Sequence, residues 1–219
     1  MADRESRPED AAPTATPAAD GAHPVVPERP QLTLPPAEAE MVRRYYDKAG
    51  VILEYGSGGS TVLAGDMPGK AITSVESDRA WIDMMKGWFR ANPPVSAVQL
   101  HHADIGPTVA WGRPADETTF RSWPGYALSV WSLRGFRQPD VVLIDGRFRP
   151  ACLMTVALRT KRPVTVLFDD YRDRKPYHTV EALLKPVEIT GRMARFEVEP
   201  MTLPPKRLEW LVGLYQRPL

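Results

Sequence analysis

The chain has 219 residues, 43% hydrophobic and 25% charged, enough for one globular domain with a substantial core and too few for two well-built ones. Its 28 basic and 27 acidic residues leave a net charge of +1, which gives no electrostatic footprint for nucleic acid or an anionic membrane. The lone Cys152 excludes an internal disulfide, no Cys/His grouping has zinc spacing, and no apolar run spans a bilayer or forms a signal peptide, so a soluble cytoplasmic protein is expected.

Residues 1–30, rich in Ala and Pro and poor in large apolar side chains, bury too little surface to offset the entropy of ordering and are expected to form a flexible tail. Residues 31–219 form the expected domain. It opens on a helix started by Pro35 and Pro36, with Met41, Val42, Tyr45, Tyr46 and Ala49 at helical spacing and Gly50 as the stop. Short apolar runs then recur at 51–55, 71–76, 97–102, 140–145 and 164–169, and their continuity predicts buried parallel strands. Helices are predicted between them. One carries Trp81, Ile82, Met85, Trp88 and Phe89 on one face and stops at Asn92-Pro93-Pro94; another opens at Pro150. The alternation predicts a doubly wound α/β sheet. At the C-terminus, "RMARFEVEP" and "RLEWLVGLYQ" read as two strands too close for a crossover, so an antiparallel hairpin is expected to close the sheet.

The chemistry concentrates after the first strand, in "VILEYGSGGSTV". Gly56, Gly58 and Gly59 let a ligand approach the backbone, at the strand end where open parallel sheets bind ligands. Ser57, Ser60 and Thr61 add hydroxyls, and the loop and helix-start N–H groups suit a carboxylate. Glu76, twenty residues after Gly56, is placed to accept both hydroxyls of a ribose. Glu54 stands two positions before the first glycine. About 4 Å from a pyrophosphate charge it would cost roughly 4 kcal/mol at an effective dielectric of 20, so it argues against a dinucleotide and for a cationic, phosphate-free ligand.

These residues resemble the class I S-adenosylmethionine-dependent methyltransferases. "LEYGSGGST" resembles their first motif, "SVESD" the second, with Glu76 as ribose acid followed by Ser77, and "HADIG" the third. The resemblance implies that Asp104 holds the adenine amino group and Ile105 lies against the ring. It implies a Rossmann-like fold closed by an antiparallel hairpin, and it runs from about Leu32 to the C-terminus. More narrowly, "EYGSGGST", "VESDRAW", "DVVLIDGRFR" and "LFDDY" resemble a bacterial methyltransferase-like group without assigned substrates. Glu76, Asp104 and Glu54 then match the ribose, adenine and α-amino group of S-adenosylmethionine.

Asp145, Asp169 and Asp170 end the fourth and fifth expected strands, which brings three carboxylates to one rim. An oxygen-rich cluster suits Mg²⁺, and it resembles the metal site of catechol-type O-methyltransferases. Those relatives carry Asp-Asn where this chain has Asp169-Asp170, and a lysine where it has Phe148 between Arg147 and Arg149. The same residues fit a structural ion-pair network with Arg147 and Arg149, or one aspartate as general base. Between strands three and four runs a long connection in which Trp111 and Trp123 are candidates for acceptor contact and Tyr126, Ala127, Val130 and Trp131 for a core face. His101 and His102 read as a strand-end pair, His178 as a helix-opening residue.

The expected function is methyl transfer to a small-molecule acceptor, with oxygen as nucleophile and Asp145, Arg147, Asp169 and Asp170 orienting it. The rivals are an aminopropyltransferase of the same fold, a scaffold without catalysis and, last, a nicotinamide-dependent oxidoreductase.

Overall fold

Helix α1 (Pro36–Lys48) precedes strand β1 (Val51–Tyr55) in the computed structural model, which describes residues 28–219. The expected tail falls outside the described residues except for its last three, where Pro30 is buried and Arg29 pairs with Asp66. The remaining elements are α2 (Gly59–Asp66), β2 (Ala71–Glu76), α3 (Arg79–Ala91), β3 (Ala97–His102), β4 (Thr108–Val109), β5 (Arg113–Pro114), α4 (Gly125–Leu128), β6 (Val141–Ile144), α5 (Arg149–Arg159), β7 (Val164–Phe168), β8 (Glu188–Thr190), β9 (Met193–Val198) and α6 (Leu208–Tyr215).

Seven strands form one sheet in the order β3-β2-β1-β6-β7-β9-β8. The first five are parallel, and β9 runs antiparallel to both β7 and β8. Order reverses between β1 and β6, so the crevice above their carboxyl ends is the ligand position of an open α/β sheet. The five predicted strands form. One differs in character: β3 is the sheet's edge and alternates in exposure, because it has a neighbour on one side only.

The C-terminal hairpin exists, but from other residues. Met193–Val198 pairs back onto Glu188–Thr190, while the "RLEWLVGLYQ" stretch is helix α6. Leu211 and Leu214 repeat at helical spacing and pack on the core, a period that its apolar content hid.

Side chains of β1 divide between the two faces of the sheet. Leu53 and Tyr55 enter the larger core with β6, β7 and α5, whereas Ile52 joins Tyr46 and Met41 of α1. The long connection is bolted to this core. Tyr126, Ala127 and Val130 are fully buried, Tyr55 Oη donates to Ala127 O at 2.8 Å and accepts from Trp131 Nε1 at 2.8 Å. Among the described residues no helix is long and apolar enough to cross a membrane.

Candidate active site

The three glycines after β1 do three different jobs. Gly56 has φ +109°, and a Cβ there would come 2.8 Å from Gly146 N, so glycine lets the turns after β1 and β6 touch. Gly59 faces the backbone of Gln31 and Leu32, so its missing side chain admits the segment leading into α1. Only Gly58 faces open space, with nothing within 4 Å.

A chain of hydroxyls holds this turn from below. Glu54 is fully buried; its Oε1 accepts from Tyr46 Oη at 2.7 Å and its Oε2 from Thr61 Oγ1 at 2.5 Å. Thr61 Oγ1 in turn accepts from Gly58 N at 3.0 Å and lies 3.2 Å from Ser74 Oγ, which meets Ser57 Oγ at 2.7 Å. Burial pushes the Glu54 carboxyl above its ordinary value, opposed by the bonds from Thr61 and Tyr46. Both oxygens are therefore used inside the protein. Ser60 is buried at the start of α2.

Glu76 ends β2 facing the same loop. Its Oε1 accepts from Ser77 N at 2.6 Å and Asp78 N at 2.9 Å, and Ser57 N approaches Oε2 at 3.4 Å. Burial raises its carboxyl, and these N–H groups oppose the rise. Gly112, from the β4–β5 turn, lies directly over it: a Cβ there would come 2.8 Å from Glu76 Oε1, and Ser77 Oγ donates to Gly112 O at 2.7 Å. Trp81, assigned to the core from its spacing, is 39% exposed and donates from Nε1 to Ser57 O at 2.7 Å. It clasps the loop.

Beside Glu76, a cavity of about 360 Å³ is lined by Ser77, Arg79, His102, Asp104, Gly106 and Thr108. Asp104 stands in its wall, with Oδ1 accepting from Gly106 N at 3.0 Å. Ile105, expected against the adenine ring, is fully buried in the core, packed with Ala103, Tyr126 and their neighbours. His102 Nε2 lies 3.1 Å from Ser77 O, and His101 Nε2 2.7 Å from Ser129 Oγ.

The rim after β6 and β7 brings Asp145, Asp169 and Asp170 together as expected, with arginines among them. Arg149, 3% exposed, reaches Asp145 Oδ1 and Asp170 Oδ2 at 3.2 Å each. Arg174 reaches Asp170 Oδ2 at 2.9 Å. Arg192 grips the fully buried Asp169 through both carboxylate oxygens, at 3.0 and 2.7 Å, and Asp170 Oδ1 at 3.1 Å. This donor set does not fit a divalent ion, since guanidinium groups stand where a cation needs carboxylate oxygens. Among the described residues no group of three His, Cys, Asp or Glu side chains could hold a metal. The neutralising pair expected from sequence, Arg147 and Arg149, is half right: Arg149 does this, while Arg174 and Arg192 replace Arg147. Arg174 is four residues after Asp170, a spacing that could have flagged it. Arg192 carried no local signal.

Asp145 differs from its neighbours. Its side chain is 34% exposed, and its carboxyl is pushed up to about 7 by burial, then by Asp169 and Asp170, with Arg149 opposing. Asp145 N and Gly146 N both donate to Tyr55 O, at 2.9 and 2.6 Å, which ties this rim to the glycine turn. Phe148, where the catechol-type relatives carry lysine, is buried against Trp123 and Tyr126 at ring separations of 5.8 and 5.6 Å. Phe148 (φ 53°) and Asp170 (φ 58°) both adopt left-handed backbone, strain that is concentrated on this rim. Trp111, also left-handed, is 85% exposed on the β4–β5 turn. His178 stacks on Tyr171 at 4.7 Å with Nε2 on Tyr171 O at 2.9 Å, so it is engaged in packing.

No family model and no curated protein matches this chain. Solved structures do. A methyltransferase-like protein from Silicibacter pomeroyi DSS-3 is 54% identical, with a TM-score of 0.84 over 87% of this chain and 99% of that one. Cofactor-bound Rv0187 from MTB shares the fold at 12% identity, TM-score 0.52, over 80% of this chain and 85% of that one. The O-methyltransferase TomG from Streptomyces achromogenes, in complex with SAM, aligns at 14% identity and TM-score 0.48 over 75% and 78% of the two chains. With the strand order, the glycine turn and the acid after β2, the identity to the first of these shows that the chain belongs to the class I S-adenosylmethionine-dependent methyltransferases.

Proposed function

We propose that the chain transfers the methyl group of S-adenosylmethionine to an oxygen nucleophile of a small-molecule acceptor, with Asp145 as general base. The observation that carries this reading is a partly exposed carboxyl on a rim whose backbone is bonded to the end of β1 beside the glycine turn, raised towards neutrality by its surroundings and its acidic neighbours. A base whose pKa lies near neutral is matched to taking a proton from a hydroxyl as it attacks.

The residues fit the cofactor. The cavity of about 360 Å³ has Asp104 in its wall for an adenine amino group, Glu76 is preorganised by backbone N–H groups beside a ribose position, and Gly58 leaves its side open. When bound, S-adenosylmethionine supplies an electrophilic methyl group on a sulfonium. Glu54 acts through Thr61, whose hydroxyl links the buried charge to Gly58 and favours a cation above the loop. Ser57, Ser60, Ser77 and Thr61 shape that loop. Asp169 and Asp170, fixed by arginines, hold Arg149 and hence Asp145 in place, and Arg147 orients the acceptor. Alignment of two bound reactants supplies most of the acceleration in such an in-line displacement.

Thermal-shift comparison of S-adenosylmethionine, S-adenosylhomocysteine and NAD tests cofactor choice, because selective binding raises stability by mass action. Stabilisation by the first two alone is expected, and a preference for NAD overturns the reading. Transfer of isotopically labelled methyl groups to a panel of hydroxylated acceptors then separates a methyltransferase from a scaffold that binds without turnover. A preference for the decarboxylated cofactor favours the aminopropyltransferase instead.

A further inference from the structure

Two side-chain donors among the described residues are sealed from solvent without an acceptor, Trp123 Nε1 and Arg147 Nε. Buried polar groups are nearly always hydrogen-bonded, so each such exception requires an explanation. Both belong to one cluster. The Trp123 ring packs on Phe148, Arg147 is the residue before Phe148, and Tyr126, three residues after Trp123, accepts from Arg147 N at 3.2 Å. Trp123 is only 5% exposed, so its unpaired indole N–H is not a surface accident.

The charges are also unequal. Arg149, Arg174 and Arg192 each pair with the carboxylates of Asp145, Asp169 and Asp170, whereas no acid lies within ion-pair distance of Arg147 among the described residues. Arg147 faces Arg149, Arg174, Tyr126 and Tyr177, so the rim holds one guanidinium more than it has carboxylates. Burial, then the neighbouring Arg149, pushes its guanidinium below the ordinary value, the mark of a cation missing its counter-ion. Arg174 and Tyr177 also line a hollow of about 400 Å³ with Asp173 and Lys175.

We infer that the acceptor carries a carboxylate, which pairs with the Arg147 guanidinium beside Trp123 and supplies the missing negative charge. The inference rests on the methyltransferase reading and names its substrate class. An unpaired guanidinium matches a carboxylate, whose two oxygens suit its planar fork of N–H donors. It also turns the acceptor by a fixed handle, leaving its hydroxyl to face Asp145.

Benzoate and benzyl alcohol, similar in size and different in charge, test this on the full chain with and without S-adenosylhomocysteine. The ¹H–¹⁵N resonances of the Trp123 indole and the Arg147 Nε–H are followed, with Trp123→Phe identifying the indole signal. Benzoate is expected to move both resonances and to bind at least about tenfold tighter than benzyl alcohol, and Arg147→Gln is expected to abolish that preference. Equal affinities, or an indole signal indifferent to benzoate, overturn the inference even if Arg147→Gln fails to fold. Because the titration is run in both states, failure of S-adenosylhomocysteine to bind counts separately, against the methyltransferase reading itself.

Discussion

Thr61 Oγ1 donates to Glu54 Oε2 at 2.5 Å, so the acid of the first strand grips the helix that follows the glycine turn. The same oxygen accepts from Gly58 N, and the turn thus inherits its shape from a buried charge. Thr61→Val removes the hydroxyl and leaves one oxygen of a fully buried carboxylate short of a donor. It is expected to destabilise the fold by about 1–3 kcal/mol and to weaken S-adenosylmethionine binding. Denaturant unfolding and calorimetric titration measure the two effects.

The glycines are expected to separate in mutagenesis. A Cβ on Gly146 would collide with Tyr126 Oη, held in the core, and come 2.9 Å from Gly56 N, whereas one on Gly58 meets nothing within 4 Å. Gly146→Ala should therefore lower the melting temperature sharply. Gly58→Ala should leave it nearly unchanged and reduce cofactor affinity, since the added methyl fills the open side of the turn. Melting curves with and without S-adenosylhomocysteine distinguish the two.

Asp145 predicts a pH dependence of known sign. As a base it works deprotonated, so kcat/KM should rise with pH along a limb near 7, and Asp145→Asn should lose about 10²-fold or more. Stability runs the other way. The carboxyl sits at about 7 in the folded chain against ~3.9 unfolded, so the native state holds the proton more tightly. That contribution is fully present below the unfolded value and is lost as pH rises through about 7. The melting temperature of Asp145→Asn should accordingly fall less than that of the parent chain between pH 5 and 8.

Arg192 should be a stability residue that sequence alone would not select. Its fork holds the fully buried Asp169 at 2.7 and 3.0 Å, and removing one partner of a buried pair costs about 3–5 kcal/mol. Arg192→Ala should approach that loss by denaturant unfolding, and Arg192→Lys should recover only part of it, because an ammonium cannot bridge both oxygens. With guanidinium groups occupying the rim, EDTA and added Mg²⁺ should leave melting temperature and turnover unchanged.

The site was legible where its chemistry is local to one segment. "EYGSGGST" carries the turn and the helix start together, and Glu76 follows at a fixed distance because one helix and one strand intervene. Individual roles were not. Spacing put Trp81 in the core, yet its indole reaches back to Ser57 O, and it gave all three glycines to a ligand although Gly59 serves Gln31 and Gly56 serves Gly146. The C-terminal helix was missed because an apolar segment of that length fits either period until something packs against it.

Sequence by itself determined the strand and helix alternation, the glycine turn and the acid that follows it, since these rest on periodicity, backbone freedom and charge within a few residues of each other. Only the tertiary structure decided what neutralises the aspartates. Arg192 reaches Asp169 from the β8–β9 turn, which is set by Glu38 Oε1 accepting Arg192 N at 2.7 Å across 154 residues. Contacts of that separation depend on how distant elements pack, and no local pattern encodes them. The same packing left Trp123 Nε1 and Arg147 Nε without partners beside Phe148.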